Sequence, residues 1–130
     1  MTSRARDERG SSAIELVLYM PLLMIVMIVT VQFSMTYLAK QSASAAAREA
    51  ARVARVTASE EQGRQKGMTS AQQLGRGVLR SPQVSVVQVG DSMRATVSGR
   101  ASQLLPFLDS PRVEEVSQGR IEQFEEDTGP

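Results

Sequence analysis

Apolar and polar positions divide the chain into stretches of different period. From Leu16 to Ala39, LVLYMPLLMIVMIVTVQFSMTYLA, 24 residues pass without one charged side chain. At about 1.5 Å rise per residue this run spans roughly 36 Å as a helix, enough to cross a hydrocarbon core with some tilt. Lipid offers the backbone no partners, so the helix is the state in which the run satisfies itself. Pro21 lies near the amino end of the run, where first-turn N–H groups lack acceptors anyway. A soluble core helix is the competing reading. Against it, nothing else in 130 residues is large enough to bury an element apolar on every side.

Beyond the run the helical period continues. QSASAAAREAARVARVTASEE, from Gln41, is rich in strong helix formers, and no breaker occurs before Gly63. Ala43, Ala46, Ala47, Ala50, Ala51 and Ala54 recur at steps of three and four, with Arg48, Arg52 and Arg55 on another flank. A stripe of small residues lets a neighbouring backbone approach closely, which suits lateral packing of like helices. The alternative is that the alanines only hold a solvated helix together. EQGRQKG, ending at Gly67, reads as a glycine-punctuated linker. Ser70 to Gln73 forms a capping-box pattern, and Ala71, Leu74, Val78 and Leu79 follow at helical spacing, so a short helix is expected there. Gly75 and Gly77 weaken it, and GRG lacks both the ending and the preceding strand of a phosphate loop.

From Ser81 the period drops to two. Val84 and Val86, then Val87 and Val89, predict a strand apolar on both faces or interrupted by a bulge. Gly90 to Ser92 is a turn. Met93, Ala95, Val97, Gly99 and Ala101 then alternate with Arg94, Thr96, Ser98 and Arg100, a half-buried strand that closes a hairpin. Leu104 to Leu108, LLPFL, either caps the core of the sheet or sits exposed as a contact patch. Residues 113–124 offer a third strand with weaker alternation. The expected fold class is α+β and membrane-anchored, with a long N-terminal transmembrane helix extending outward, a short helix and an antiparallel sheet of two to three strands. Its divisions fall at 1–10 (head), 11–57 (helix), 58–68 (linker), 69–124 (small domain) and 125–130 (acidic tail). A sheet that small is marginal alone, which favours assembly.

Composition removes most chemistry. The chain has no Cys and no His, which excludes disulfides, thiol nucleophiles, the commonest general base and the commonest transition-metal ligand. A net charge of +1 and 4 % aromatics give no basis for nucleic-acid binding. Asp91, Asp109, Glu114 and Glu115 could be arranged as paired carboxylates, but charges on strand edges and turns are usually just solvated. No enzyme activity, cofactor or metal is expected.

One acid stands out. Glu15 sits at the edge of the apolar run, five residues after Gly10, in RGSSAIELVLYMP. A lone carboxylate at the hydrocarbon boundary is costly unless a cation lies in contact with it. The simpler reading is an acid at a helix start, favoured by the macrodipole and wetted by headgroups.

The succession RGSSAIELVLYMPLLMIVMIV and AAAREAARVA resembles the TadE-like family of minor pilins or pseudopilins of bacterial tight-adherence (Flp-type) pilus systems, over residues 9–56. Many members place an aromatic directly after the acid; here Leu16 follows, and Tyr19 is the nearest ring. The resemblance implies a pilin-like subunit or assembly factor, cut by a prepilin peptidase between Gly10 and Ser11. Its partners would be that peptidase, other pilin-like subunits, a membrane assembly platform and the bilayer. Cleavage would make Glu15 the fifth residue and expose an α-amine on every subunit, a cation for a neighbour's Glu15. The head also carries Arg4, Arg6 and Arg9 with Asp7 and Glu8, so its removal takes 15 basic and 14 acidic residues to 12 of each.

Those head arginines favour an amino end in the cytoplasm and a C-terminal domain outside the cytoplasmic membrane; residence in an extracellular pilus is what the resemblance implies. Two alternatives remain. An uncleaved single-pass protein would bind an envelope partner through its outer domain. A secretory signal would be cut at small residues near Ala43 to Ala47, although the run is longer than the usual apolar core of such signals.

Overall fold

The computed structural model describes residues 7–123, with side chains from residue 12. Residues 1–6 of the expected head, Phe124 of the expected third strand and the acidic tail 125–130 lie outside the described residues. Five elements follow in order: α1 (Asp7–Thr57), α2 (Glu60–Leu74), β1 (Leu79–Val89), β2 (Ser92–Ala101) and β3 (Arg112–Arg120). The chain divides into two compact units, Met1–Ser34 and Met35–Pro130.

In the first unit most apolar side chains of α1 are exposed, from Ile14 and Leu16 to Val31 and Phe33, and Ile28 is half-buried. Among the described residues this is one helix long and apolar enough to cross a membrane, by length and composition. Pro21 lies inside α1 rather than in its first turn, because the helix already begins at Asp7. The ring therefore withdraws the donor that the Val17 carbonyl would otherwise receive, unlike the low-cost position expected from the run alone.

The second unit is built on the alanine stripe. Ala39, Ala43, Ala46 and Ala47 share a core with Ala71, Leu79, Val97, Ala101 and Val113. Ala50, Ala51 and Ala54 share another with Val86, Met93 and Ala95. Small side chains on α1 let the sheet and α2 lie close to its backbone.

The segment expected as a linker is instead the first half of α2. Ala58 adopts a left-handed φ of 49°, and the Ser59 N–H donates to the Ala54 carbonyl at 3.2 Å, which closes the end of α1. Ser59 then caps α2, its hydroxyl accepting from the Gln62 N–H at 3.3 Å. Gly63 and Gly67 do not break this helix; they are buried against α1. A Cβ at Gly63 would meet Ala54 Cβ at 2.6 Å and the Ala50 carbonyl oxygen at 2.8 Å. At Gly67 it would meet Ala50 Cβ at 2.7 Å and Val84 Cγ1 at 2.9 Å.

The sheet has three antiparallel strands in the order β1-β2-β3. Val89 pairs with Ser92 across a two-residue turn that opens with Gly90 at φ 61°, a conformation suited to glycine. The bulge falls between Arg80 and Gln83, where Pro82 has no N–H to give, and not between Val86 and Val87. Those two valines occupy opposite faces, Val86 buried and Val87 exposed. On β2, Met93, Ala95, Val97 and Ala101 are buried while Arg94 and Arg100 are exposed, as the alternation predicted. The 104–108 loop does not cap the core: Leu104, Phe107 and Leu108 are exposed.

Candidate functional site

The acid at the start of the apolar run is positioned by α1 alone. Glu15 is exposed on the helix, and no cation among the described residues pairs with it. Any charge that answers it has to come from elsewhere. Backbone at Gly10 and Ser11 is helical.

Downstream, two hydroxyls of the apolar run are satisfied within the helix. Thr30 Oγ1 donates to the Val26 carbonyl at 2.8 Å, and Ser34 Oγ donates to the Thr30 carbonyl at 2.9 Å. Back-bonding of this kind removes most of the cost of a hydroxyl in hydrocarbon. The side chains from Leu16 to Phe33 thus form an uncharged, largely apolar surface.

The alanine stripe is not part of that surface. Ala43, Ala46, Ala47, Ala50, Ala51 and Ala54 were expected to receive a neighbouring subunit's helix, but each is no more than 2 % exposed. The chain's own α2 and sheet already cover them, with Gly63 and Gly67 at the closest approach. Helix packing does occur on this seam, but within one chain.

Around the seam the charged residues form a solvated collar. Arg52 holds Glu49 in a two-pronged pair, with nitrogen–oxygen distances of 3.0 and 2.9 Å. This hydrogen bond keeps the Glu49 carboxyl below its ordinary value. The Arg64 pair does the same for Glu61 one helix away, helped by Gln65. Arg55 differs from the other two arginines on its flank. It is half-buried, donates to the Ala51 carbonyl at 3.3 Å and lies against Gly119, where a Cβ would come within 2.9 Å of its Cδ. Glu60 reaches the β1 backbone, accepting from the Gln88 N–H at 2.7 Å.

Reading from the sequence missed two features. One is the Gly63–Gly67 pair, whose four-residue spacing on a helix was the available signal. The other is a cross-strand row of Arg80, Arg100 and Arg112 on the outer face of the sheet, which depends on register and had no signal in the linear sequence.

Residues 10–52 match the family model of the TadE-like protein. That span takes in Gly10, Glu15, the whole uncharged run and most of the alanine seam, so the N-terminal helix carries a TadE-like segment and supports a pilus-related role. No curated protein and no solved structure matches the chain.

Proposed function

We propose that this protein is a pilin-like subunit or assembly factor of a bacterial tight-adherence pilus, with a structural and not a catalytic role. The observation that carries the reading is the coincidence of the TadE-like match with the exposed apolar run that begins beside Glu15. The run anchors the chain in the cytoplasmic membrane as a single pass, amino end inside. A prepilin peptidase cuts after Gly10, and the new amine at Ser11 meets Glu15 of the adjoining subunit. Association with other subunits and with a membrane assembly platform proceeds through the apolar run. The seam from Ala43 to Ala54, already occupied, contributes through the fold of the outer unit.

Burial of Ala39, Ala43, Ala46 and Ala47 in the core of the second unit supports an uncut helix at this point. A signal-peptidase cut there would excise side chains on which the sheet packs. Mass spectrometry of membrane-extracted protein tests the proposal. A chain starting at Ser11 is expected. A mass with Met1 retained, or with only Met1 removed, would favour the uncleaved single-pass anchor. A start near Ala46 would favour secretion.

A further inference from the structure

One end of the second unit joins positive charge to exposed apolar side chains. On the sheet, Arg80 pairs with Arg100, and Arg100 pairs with Arg112. Their neighbours Leu79, Ala101 and Val113 are buried, so the three guanidinium stems stand on the opposite, solvent face. Like charges directly opposite each other destabilise a strand pair. Glu114 lies 3.4 Å from Arg112 with both side chains exposed, and Arg100 donates to the Ser110 carbonyl at 3.4 Å. One solvated carboxylate does not offset three guanidinium groups.

Between Arg100 and Arg112 runs the 102–111 connection, on which Phe107 is 80 % exposed and Leu108 is exposed as well. Its roots are pinned: the Ser102 N–H donates to the Val78 carbonyl at 2.8 Å and the Ala101 N–H to the Pro111 carbonyl at 3.0 Å. This end of the sheet lies at the start of the alanine seam. Leu79, Ala101 and Val113 share a core with Ala39 and Ala43, whereas Val86 and Met93 lie with Ala50 and Ala54. Ala39 closes the uncharged run and Lys40 is the first charge after it. A bilayer that takes up the run therefore has its polar boundary at the end of the unit that bears the arginine row and the apolar loop.

Cations flanking an aromatic and aliphatic tip match the chemistry of a headgroup layer, in which guanidinium groups meet phosphates and apolar side chains meet the acyl boundary. We infer that this rim docks on the bilayer holding the apolar run. Phe107 and Leu108 enter the interface, and Arg80, Arg100 and Arg112 engage the phosphates of anionic lipids. The inference rests on the anchorage proposed above. Docking holds the outer unit against the membrane before assembly, and the contact is given up when a subunit leaves the bilayer.

The full chain, reconstituted in phosphatidylcholine vesicles with or without phosphatidylglycerol, provides the test. It contains no Trp, so Phe107→Trp places a single reporter on the loop and Phe33→Trp places one in the run. With phosphatidylglycerol, the Phe107→Trp protein should show blue-shifted emission and quenching by brominated acyl chains, both weaker in phosphatidylcholine alone. Arg80→Gln, Arg100→Gln and Arg112→Gln should each lower the docked-to-free ratio by roughly fivefold. Millimolar inorganic phosphate should leave the loop docked; release by phosphate assigns the row to a free anion and overturns the lipid reading. Quenching at Phe33→Trp with none at Phe107→Trp overturns docking while leaving anchorage intact. Absence of quenching at both positions overturns anchorage itself. Quenching at Phe107→Trp that persists undiminished without the arginines removes them from the contact.

Discussion

Ala58 turns the chain from α1 into α2 with φ at 49°, a conformation that costs a residue bearing a Cβ about 1 kcal/mol or more. The position is exposed, so Ala58→Gly should raise the stability of the second unit by about 1 kcal/mol, less a few tenths for the freer unfolded chain. A thermal melt of the full chain in detergent reads this directly; a lower melting temperature would show that the turn carries no strain. At the other end of α1, Glu15 has no partner among the described residues, and its proposed role lies between molecules. The Glu15→Ala protein should keep its fold and be processed normally, yet enter filaments poorly. Normal incorporation, measured by the fraction of subunit in sheared pili, would leave the pairing role without support.

Helix packing within the second unit depends on what is missing from two side chains. Gly63 and Gly67 lie one turn apart on the face of α2 that meets Ala50 and Ala54 of α1. Glycine costs a helix up to about 1 kcal/mol relative to alanine, and here that loss is outweighed by close contact. Gly67→Ala should therefore destabilise the unit by about 1–2 kcal/mol despite the better helix former, because the new methyl falls 2.7 Å from Ala50 Cβ and 2.9 Å from Val84 Cγ1. Adding Ala50→Gly should recover part of the loss. A denaturation midpoint for Gly67→Ala at or above that of the parent chain would mean that α2 can move away at no cost. The same packing explains why a polar, glycine-bearing segment read as a linker: glycine signals a breaker only when no close neighbour requires it.

Across the whole molecule, the two units present different surfaces. Met35–Pro130 has its own cores, in which the alanines of the seam are buried, whereas most of the described apolar side chains of the first unit are exposed. An exposed apolar surface of that extent needs lipid or other subunits to cover it. The proposed maturation adds a charge argument, since loss of the first ten residues would leave 12 basic and 12 acidic side chains and a new terminal amine. Gly10→Ala should largely block this step, leaving a membrane-bound chain whose mass retains the head. Full conversion of that variant to a chain starting at Ser11 would remove the prepilin-peptidase assignment.

The sequence by itself determined the long helix, the hairpin and the inward face of β2, because each follows from a period that a single element imposes on its own residues. The run from Leu16 to Ala39 needs no partner to declare itself, and neither does the alternation from Met93 to Ala101. Tertiary structure alone decided what covers the alanine seam, since small side chains accept a sister helix or the chain's own sheet equally well. It also decided that Gly63 and Gly67 belong to a helix, and that Arg80, Arg100 and Arg112 share a row. Those outcomes depend on strand register and on interhelical distance, quantities that arise between elements and leave no periodic trace within one.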